Sequence, residues 1–451
     1  MSSDFLRQSS TYDIAILTLF HPKITAGGAQ QCAYDLYLNL KKYTSHRICF
    51  IAATSPITSL KSKANTFVRR SSNYDDEFYF FTGEYDYFWH CCKDSRPPKD
   101  LVLFLEKINP RSIFISHYMH LGIDLISMIR AMLPKSNISV GLHEMLFACM
   151  ADGQMVKKND GQLCRKPDPQ LCSMCFPHIS ADVFAARKKF NKECLEQADN
   201  FVFPSKHLAG VFSEEFNVSS HRIHVINHPI DLASYQSKQQ NTFSANRPVR
   251  FGYFGQFLDN KGVDVLLKAA SELDLVQLKR RFEIVINGGN KEFASKAYQV
   301  KIEALIEESR GWRQGLIIEL GGYSHNELVS RMDRVDFVVV PSTWPEVFAL
   351  VVTEAFACFK PVLAARIGGL GERLRDGVDG FNFQPRNPSD LARKMHQCMS
   401  LSDANYRQMS SEAYISAMRL NPKRALQEYA KALDLNLNFT DQPAAEMYAS
   451  L

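Results

Sequence analysis

The chain opens in the same way twice. Asp13–Phe20 (DIAILTLF) is an apolar run short enough for a buried strand. A turn with Ala26-Gly27-Gly28 follows, then a pattern that puts Cys32, Leu36, Tyr37 and Leu40 on one helical face. The sequence repeats this plan at Val249–Gly255 (VRFGYFG), with a loop over Leu258–Gly262 and a helix over Val263–Leu273. A strand, a glycine turn and a helix begin a doubly wound α/β sheet. Two such openings suit a chain of 451 residues, which is long for a single hydrophobic core.

More apolar runs follow each opening. In the first half they are His46–Ala53, Ser112–Ser116, Asn137–Leu142, Asn200–Pro204 and Ile223–Asn227. In the second they are Phe282–Asn287, Gly315–Leu320, Asp336–Pro341 and Pro361–Ala364. Helical stretches between them predict parallel sheets covered on both faces. Asp231–Pro248 is polar and without periodicity, which marks a boundary region. The expected organisation is an N-terminal domain over 1–228 and a C-terminal domain over 229–451. The last helical stretch, Lys423–Leu433, is a candidate to return to the first domain. Tails 1–10 and 441–451 are expected to be flexible.

Composition narrows the class. A hydrophobic share of 45% and a charged share of 22% are ordinary for a globular protein, and a net charge of +5 is mild for this length. No zinc-finger, helix-turn-helix or RNP-like pattern points to nucleic acid. The polar start MSSDFLRQSSTYD lacks a secretory core, and no apolar run reaches about 18 residues. A cytoplasmic location is expected, and the eleven cysteines then as thiols or metal ligands. Arg187-Lys188-Lys189 with Lys192 form a basic patch, a candidate for peripheral contact with the inner membrane face, although a solvated helix face is the simpler account.

The richest stretch is Pro341–Ala357, PSTWPEVFALVVTEAFA. A strand ends at Pro341, a loop carries Glu346, a helix begins near Phe348, and Glu354 follows about two turns in. Free N–H groups at a helix start favour phosphate, while carboxylates accept hydrogen bonds from sugar or ribose hydroxyls. Lys360-Pro361-Val362, Gly368-Gly369 and Arg375-Asp376-Gly377-Val378-Asp379-Gly380-Phe381 continue the block. Together these residues resemble the donor-site block of the family-4 retaining glycosyltransferases. The resemblance implies a GT-B fold, in which two Rossmann-like domains face a cleft. It implies that Glu346 lies near the transferred sugar, that Glu354 binds the nucleotide ribose, and that amides of Phe348, Ala349, Leu350 and Val351 hold the distal phosphate or sugar. The family often has Gly where Ala349 stands.

Other segments extend the resemblance over about residues 12–430. Phe254–Gly262 (FGQFLDNKG) is similar to the strand-loop that presents an Arg and a Lys to the donor pyrophosphate; Lys261 matches, and Gln256 replaces the Arg. Gly28, in Gly27-Gly28-Ala29-Gln30, would face the donor phosphates, and His143, in Val140–Glu144, the reacting sugar. His117 and His120 are candidates for the acceptor side.

Cys149, Cys164, Cys172 and Cys175 fall within 27 residues of a Cys-rich insertion over 149–178, and the last two form a C-x-x-C pair. Four thiolates suit tetrahedral zinc in a structural role; unligated thiols and redox chemistry remain the alternatives. His178 is a substitute ligand. The resemblance implies transfer of a sugar from a UDP- or GDP-sugar to a glycan, lipid-linked or small-molecule acceptor, with no catalytic metal and no nucleic-acid partner. Another GT-B enzyme, a nucleotide-sugar epimerase or phosphorylase, and a non-catalytic sugar-binding protein are the rival readings.

Overall fold

The computed structural model describes residues 11–25, 27–54, 66–235, 243–244 and 246–437. Ala26, the middle of the expected boundary region and the tails expected to be flexible lie outside these residues. The chain divides into two compact units. The first comprises 1–204, 208–227 and 422–451, the second 205–207 and 228–421. Ser205–His207, expected inside the first domain, group with the second unit because the amides of Lys206 and His207 donate to the Glu372 carboxylate.

In the first unit the strands are β1 (Ile14–Phe20), β2 (Ile48–Thr54), β3 (Val68–Arg70), β4 (Glu77–Phe81), the two-residue pair β5 (Tyr85–Asp86) and β6 (Cys91–Cys92), β7 (Ser112–Ile115), β8 (Asn137–Gly141), β9 (Asn200–Phe203) and β10 (Ile223–Val225). They form an eight-stranded sheet in the order β10-β9-β8-β7-β1-β2-β4-β3, parallel except for β3 against β4. Strands β1 and β2 are buried almost throughout, as strands covered on both faces must be. β3 and β4 escape the sequence reading: β3 is three residues with two arginines, and the aromatic run of β4 follows a polar stretch.

The second unit holds β11 (Val249–Gln256), β12 (Phe282–Gly289), β13 (Gly315–Glu319), β14 (Phe337–Val340), β15 (Val362–Ala365) and β16 (Gly380–Phe383). They make a fully parallel sheet in the order β13-β12-β11-β14-β15-β16. The chain winds outward from β11 and then returns to β11's other side at β14. Open α/β sheets bind ligands at such a reversal, beyond the strands' C-terminal ends. β1 and β7 form the equivalent reversal in the first unit. Asp336, fully buried before β14, is held by Arg247 at 2.8 and 2.5 Å and by the Arg250 amide at 2.9 Å.

The helix Pro422–Ala432 belongs to the first unit although it lies at the far end of the sequence. Leu426, Tyr429 and Leu433 bury themselves against the core of β1 and β2, and the Tyr429 ring lies 5.7 Å from that of Phe114. The Ala432 carbonyl accepts from Asn137 Nδ2 (3.0 Å), Ser139 Oγ (2.6 Å) and Asn200 Nδ2 (2.9 Å). Among the described residues no helix is long and apolar enough to cross a membrane.

The expected basic patch does not form as one surface. Arg187 is buried, and its guanidinium donates to the Phe88 and Leu146 carbonyls at 2.7 and 2.6 Å. Lys188 pairs with Glu215 at 2.9 Å, while Lys189 and Lys192 lie near Glu193 and Glu196. Paired lysines offer little net attraction to an anionic surface.

Removing the Tyr429 ring leaves a cavity beneath the first sheet, so Tyr429→Ala is expected to lower stability by about 3–5 kcal/mol. Urea unfolding followed by Tyr429→Ala and Tyr429→Phe variants checks this, the latter losing much less because it keeps the packed ring.

Candidate functional site

In the second unit, β11 ends at Gln256, and the chain passes through a 3-10 turn over Asp259–Lys261. Gly262 follows at φ 70°, where a Cβ would stand 2.0 Å from the Pro341 carbonyl oxygen. Only glycine meets both conditions. The turn therefore packs directly on the loop leaving β14, and the Thr343 amide donates to the Asn260 carbonyl at 2.9 Å. From the opposite side Gly369 presses on the same loop: a Cβ there would lie 2.0 Å from the Val347 carbonyl oxygen, and its amide donates to the Glu346 carbonyl at 2.6 Å.

This clamp buries Glu346. Its Oε1 accepts from Lys261 Nζ at 2.6 Å and from Ser342 Oγ at 2.9 Å. Burial alone would push the carboxyl up, but Lys261, Ser342 and Trp344 hold it below the ordinary carboxylate range. Lys261 Nζ also sits 5.5 Å from the centre of the Trp344 ring. The sequence assigns Lys261 and Glu346 separate ligand contacts; in the structure they pair with each other. Gln256 is exposed at the strand end, and its carbonyl accepts from Tyr253 Oη at 2.6 Å.

The helix expected from Phe348 begins two residues later, spanning Leu350–Ala357. Ala349 is its N-cap, in the left-handed region at φ 61° and ψ 83°. That conformation explains why glycine suits this position. Phe348 is buried, with His228's ring 4.8 Å away and the Arg373 guanidinium 3.9 Å above its ring. Leu350 and Val351 open the helix, where first-turn N–H groups have no i−4 carbonyl. Glu354 stands in the second turn with no hydrogen-bond or ion-pair partner among the described residues. It keeps some solvent contact, yet burial of its carboxyl pushes its pKa to about 7.

Arg373 was missed from the sequence. Its Nη2 donates to Thr353 Oγ1 at 2.6 Å, its Nε is buried without a partner, and burial lowers its pKa to about 10. No carboxylate lies within ion-pair distance of it among the described residues. A cation so placed beside a helix start suits an anionic ligand. In sequence it hides behind Gly368–Glu372 among unremarkable neighbours.

Gly28 and His143 belong to the first unit. Gly28 is the first residue of the helix Gly28–Tyr43, just past the end of β1. His143 follows β8, with Nε2 3.3 Å from Ser116 Oγ and its ring stacked parallel to His117 at 6.5 Å. Burial, then His117, lowers the His143 pKa to about 3, so its ring is neutral. His117 Nδ1 accepts from the Met119 amide, and its Nε2 lies 3.6 Å from Glu144 Oε2 without a hydrogen bond. His120 sits instead among the rings of Phe20, Tyr85 and Tyr87.

Cys149, Cys164, Cys172 and Cys175 all line one cavity of about 30 Å³ in the first unit and are free thiols. As the side chains stand, no three His, Cys, Asp or Glu among the described residues are drawn closely enough together to hold a metal ion. A ready-made ligand set is therefore not present. His178 is exposed and does not line the cavity.

Two outcomes follow from this geometry. Ala349→Gly removes roughly 1–2 kcal/mol of left-handed strain, offset by roughly 0.5–1 kcal/mol of extra unfolded-state freedom. Denaturant titration should show a small net gain in stability, and a loss for Ala349→Val. Glu354 has its folded pKa raised above the unfolded value of about 4.3. Between these values the folded chain binds more protons, so stability falls as pH rises through the window. Glu354→Gln should therefore gain stability over the parent progressively from about pH 5 to pH 8, with an upper bound of ~4 kcal/mol. Melting curves across that range check it.

Residues 235–416 match the family described as glycosyl transferases group 1. An uncharacterized glycosyltransferase of Methanocaldococcus jannaschii is 32% identical over 207 residues, 46% of this chain and 51% of that protein. A D-inositol 3-phosphate glycosyltransferase of Mycobacterium sp. (strain JLS) is 28% identical over 226 residues, 49% of each chain. The chain spans about half the length of the curated relatives it matches. Among solved structures, Anabaena HepE in complex with UDP superposes with a TM-score of 0.65 at 18% identity, covering 94% of this chain and 99% of that one. Sucrose-phosphate synthase from Thermosynechococcus elongatus gives 0.64 at 18% identity, covering 92% and 97%. Residues 235–416, within the second unit, are thus similar to the glycosyl transferases group 1 family, and the chain shares the GT-B fold of these solved structures.

Proposed function

We propose that the chain is a retaining glycosyltransferase that takes a sugar from a nucleoside-diphosphate donor and passes it to an acceptor hydroxyl. What carries this is the presence, on the segments that follow β11 and β14, of Lys261, the helix start at Leu350, Arg373 with its buried Nε unpaired, and Glu354. Donor binding would recruit Lys261 from Glu346 to the diphosphate, freeing the Glu346 carboxylate to accept from sugar hydroxyls. Glu354 would accept from the ribose. Negative charge grows on the diphosphate as the glycosidic bond breaks, and Lys261 with the first-turn amides would stabilise it. Arg373 would supply the positive charge that Gln256 does not.

Because that charge comes from protein groups, transfer needs no added magnesium or manganese. HepE structures with UDP and with UDP-glucose support a nucleotide-sugar donor by analogy of fold. The resemblance assigns Gly28 to the donor phosphates, and His143 to transfer rather than to nucleotide affinity. Retention and family 4 rest on the resemblance of Glu346–Phe381.

Calorimetry with UDP- and GDP-sugars tests the donor site. Lys261→Met should weaken binding about tenfold or more, since a charged hydrogen bond contributes about 1.5–3 kcal/mol. Because it leaves Glu346 buried and unpaired, Lys261→Met/Glu346→Gln serves as the folded control and should show the same loss. His143→Ala should bind donor normally while transfer falls sharply. Unchanged donor affinity in both lysine variants would overturn the assignment, and product analysis with labelled donor separates a transferase from an epimerase or phosphorylase.

A further inference from the structure

Residues 156–180 leave the first unit's core. The segment forms a hairpin closed by the Val156–Leu163 bridge and a short helix, Pro169–Cys175, with no buried residue in that helix. In the whole stretch only Pro167 is buried. So little apolar burial does not offset the ordering entropy of 25 residues. The Phe176–Phe184 ring contact and the Cys164 amide's hydrogen bond to the Met155 carbonyl tie the segment to the unit, and a further link would strengthen a hold with so little burial.

The four cysteines sit where such a link could form. Cys149 projects from the core segment that follows β8, Cys164 from the end of the hairpin, and Cys172 and Cys175 from successive turns of the helix. All four line the same cavity, with Leu171 and Phe176 beside them. The surroundings are cationic: Arg187 lies behind Cys149 and Cys172, and Lys157 beside Cys164.

We propose that Cys149, Cys164, Cys172 and Cys175 bind one zinc ion that fastens the 149–178 insertion to the first unit. Each thiol releases its proton to solvent on binding, no electron is transferred, and the resulting site of net charge −2 is balanced by Arg187 and Lys157. Four protein ligands leave no position for water, so the role is structural. This does not depend on the transferase assignment.

The test is elemental analysis of the full chain purified under reducing conditions without chelator or added metal. About one zinc per chain is expected, with the four thiols protected from alkylation in the native protein by peptide mapping and exposed after the metal is stripped. Cys172→Ser/Cys175→Ser should lose the zinc, and proteases should then cut within 156–168 much faster. If that variant does not fold, the metal content and thiol protection of the parent chain still decide. Absence of metal with all four thiols alkylated as fast as in urea, a disulfide among them, or an iron–sulfur cluster in place of zinc would each overturn the proposal.

Discussion

The second unit's candidate site depends on two backbone contacts that no side chain can enter. Gly262 lies under the Pro341 carbonyl and Gly369 under that of Val347. With both in place the loop between β14 and the helix Leu350–Ala357 has no room to move, and the Glu346 side chain is carried inside. A buried carboxylate must find donors or ionise at great cost. Lys261 and Ser342 are the donors the fold provides, and Lys261 is delivered by the very turn that Gly262 closes. Steric fit thus dictates the electrostatics.

Three charged groups near this loop are treated differently. Glu346 is satisfied internally, whereas Glu354 and Arg373 are desolvated and, among the described residues, form no ion pair. Each unsatisfied group is a local cost to stability that a complementary ligand relieves. A hydroxyl-rich group before Glu354 and an anion before Arg373 are the complements their chemistry calls for. The site is therefore polarised before anything binds, with charge held ready by a rigid scaffold.

Much of this was legible in the sequence because it rests on local pattern. The apolar runs at Asp13–Phe20 and Val249–Gly255 became β1 and β11, and the loop at Leu258–Gly262 lies where strand and helix meet. What escaped depends on contacts between distant residues. β4 takes its strand identity from pairing with β2, not from an isolated period. Arg187 reads as surface charge until the carbonyls of Phe88 and Leu146 claim it. The Lys261–Glu346 pair spans 85 positions, and Arg373 acquires meaning only above the Phe348 ring. The two-residue displacement of the helix start has a local cause, the left-handed Ala349, but alanine gives no sign of it in one-letter form.

The place of Pro422–Ala432 bears on how the protein is made. A ribosome releases the strands of the first sheet long before it releases the carbonyl of Ala432, to which Asn137, Ser139 and Asn200 all donate. The second unit, contiguous from His228 to Asn421 apart from three residues already synthesised, has all its segments in hand first. During translation the first sheet must therefore wait, one apolar flank uncovered, while some two hundred residues of the other unit are added. That order makes the earliest-made half of the molecule the last to be completed, and gives chaperones a defined surface and interval in which to act.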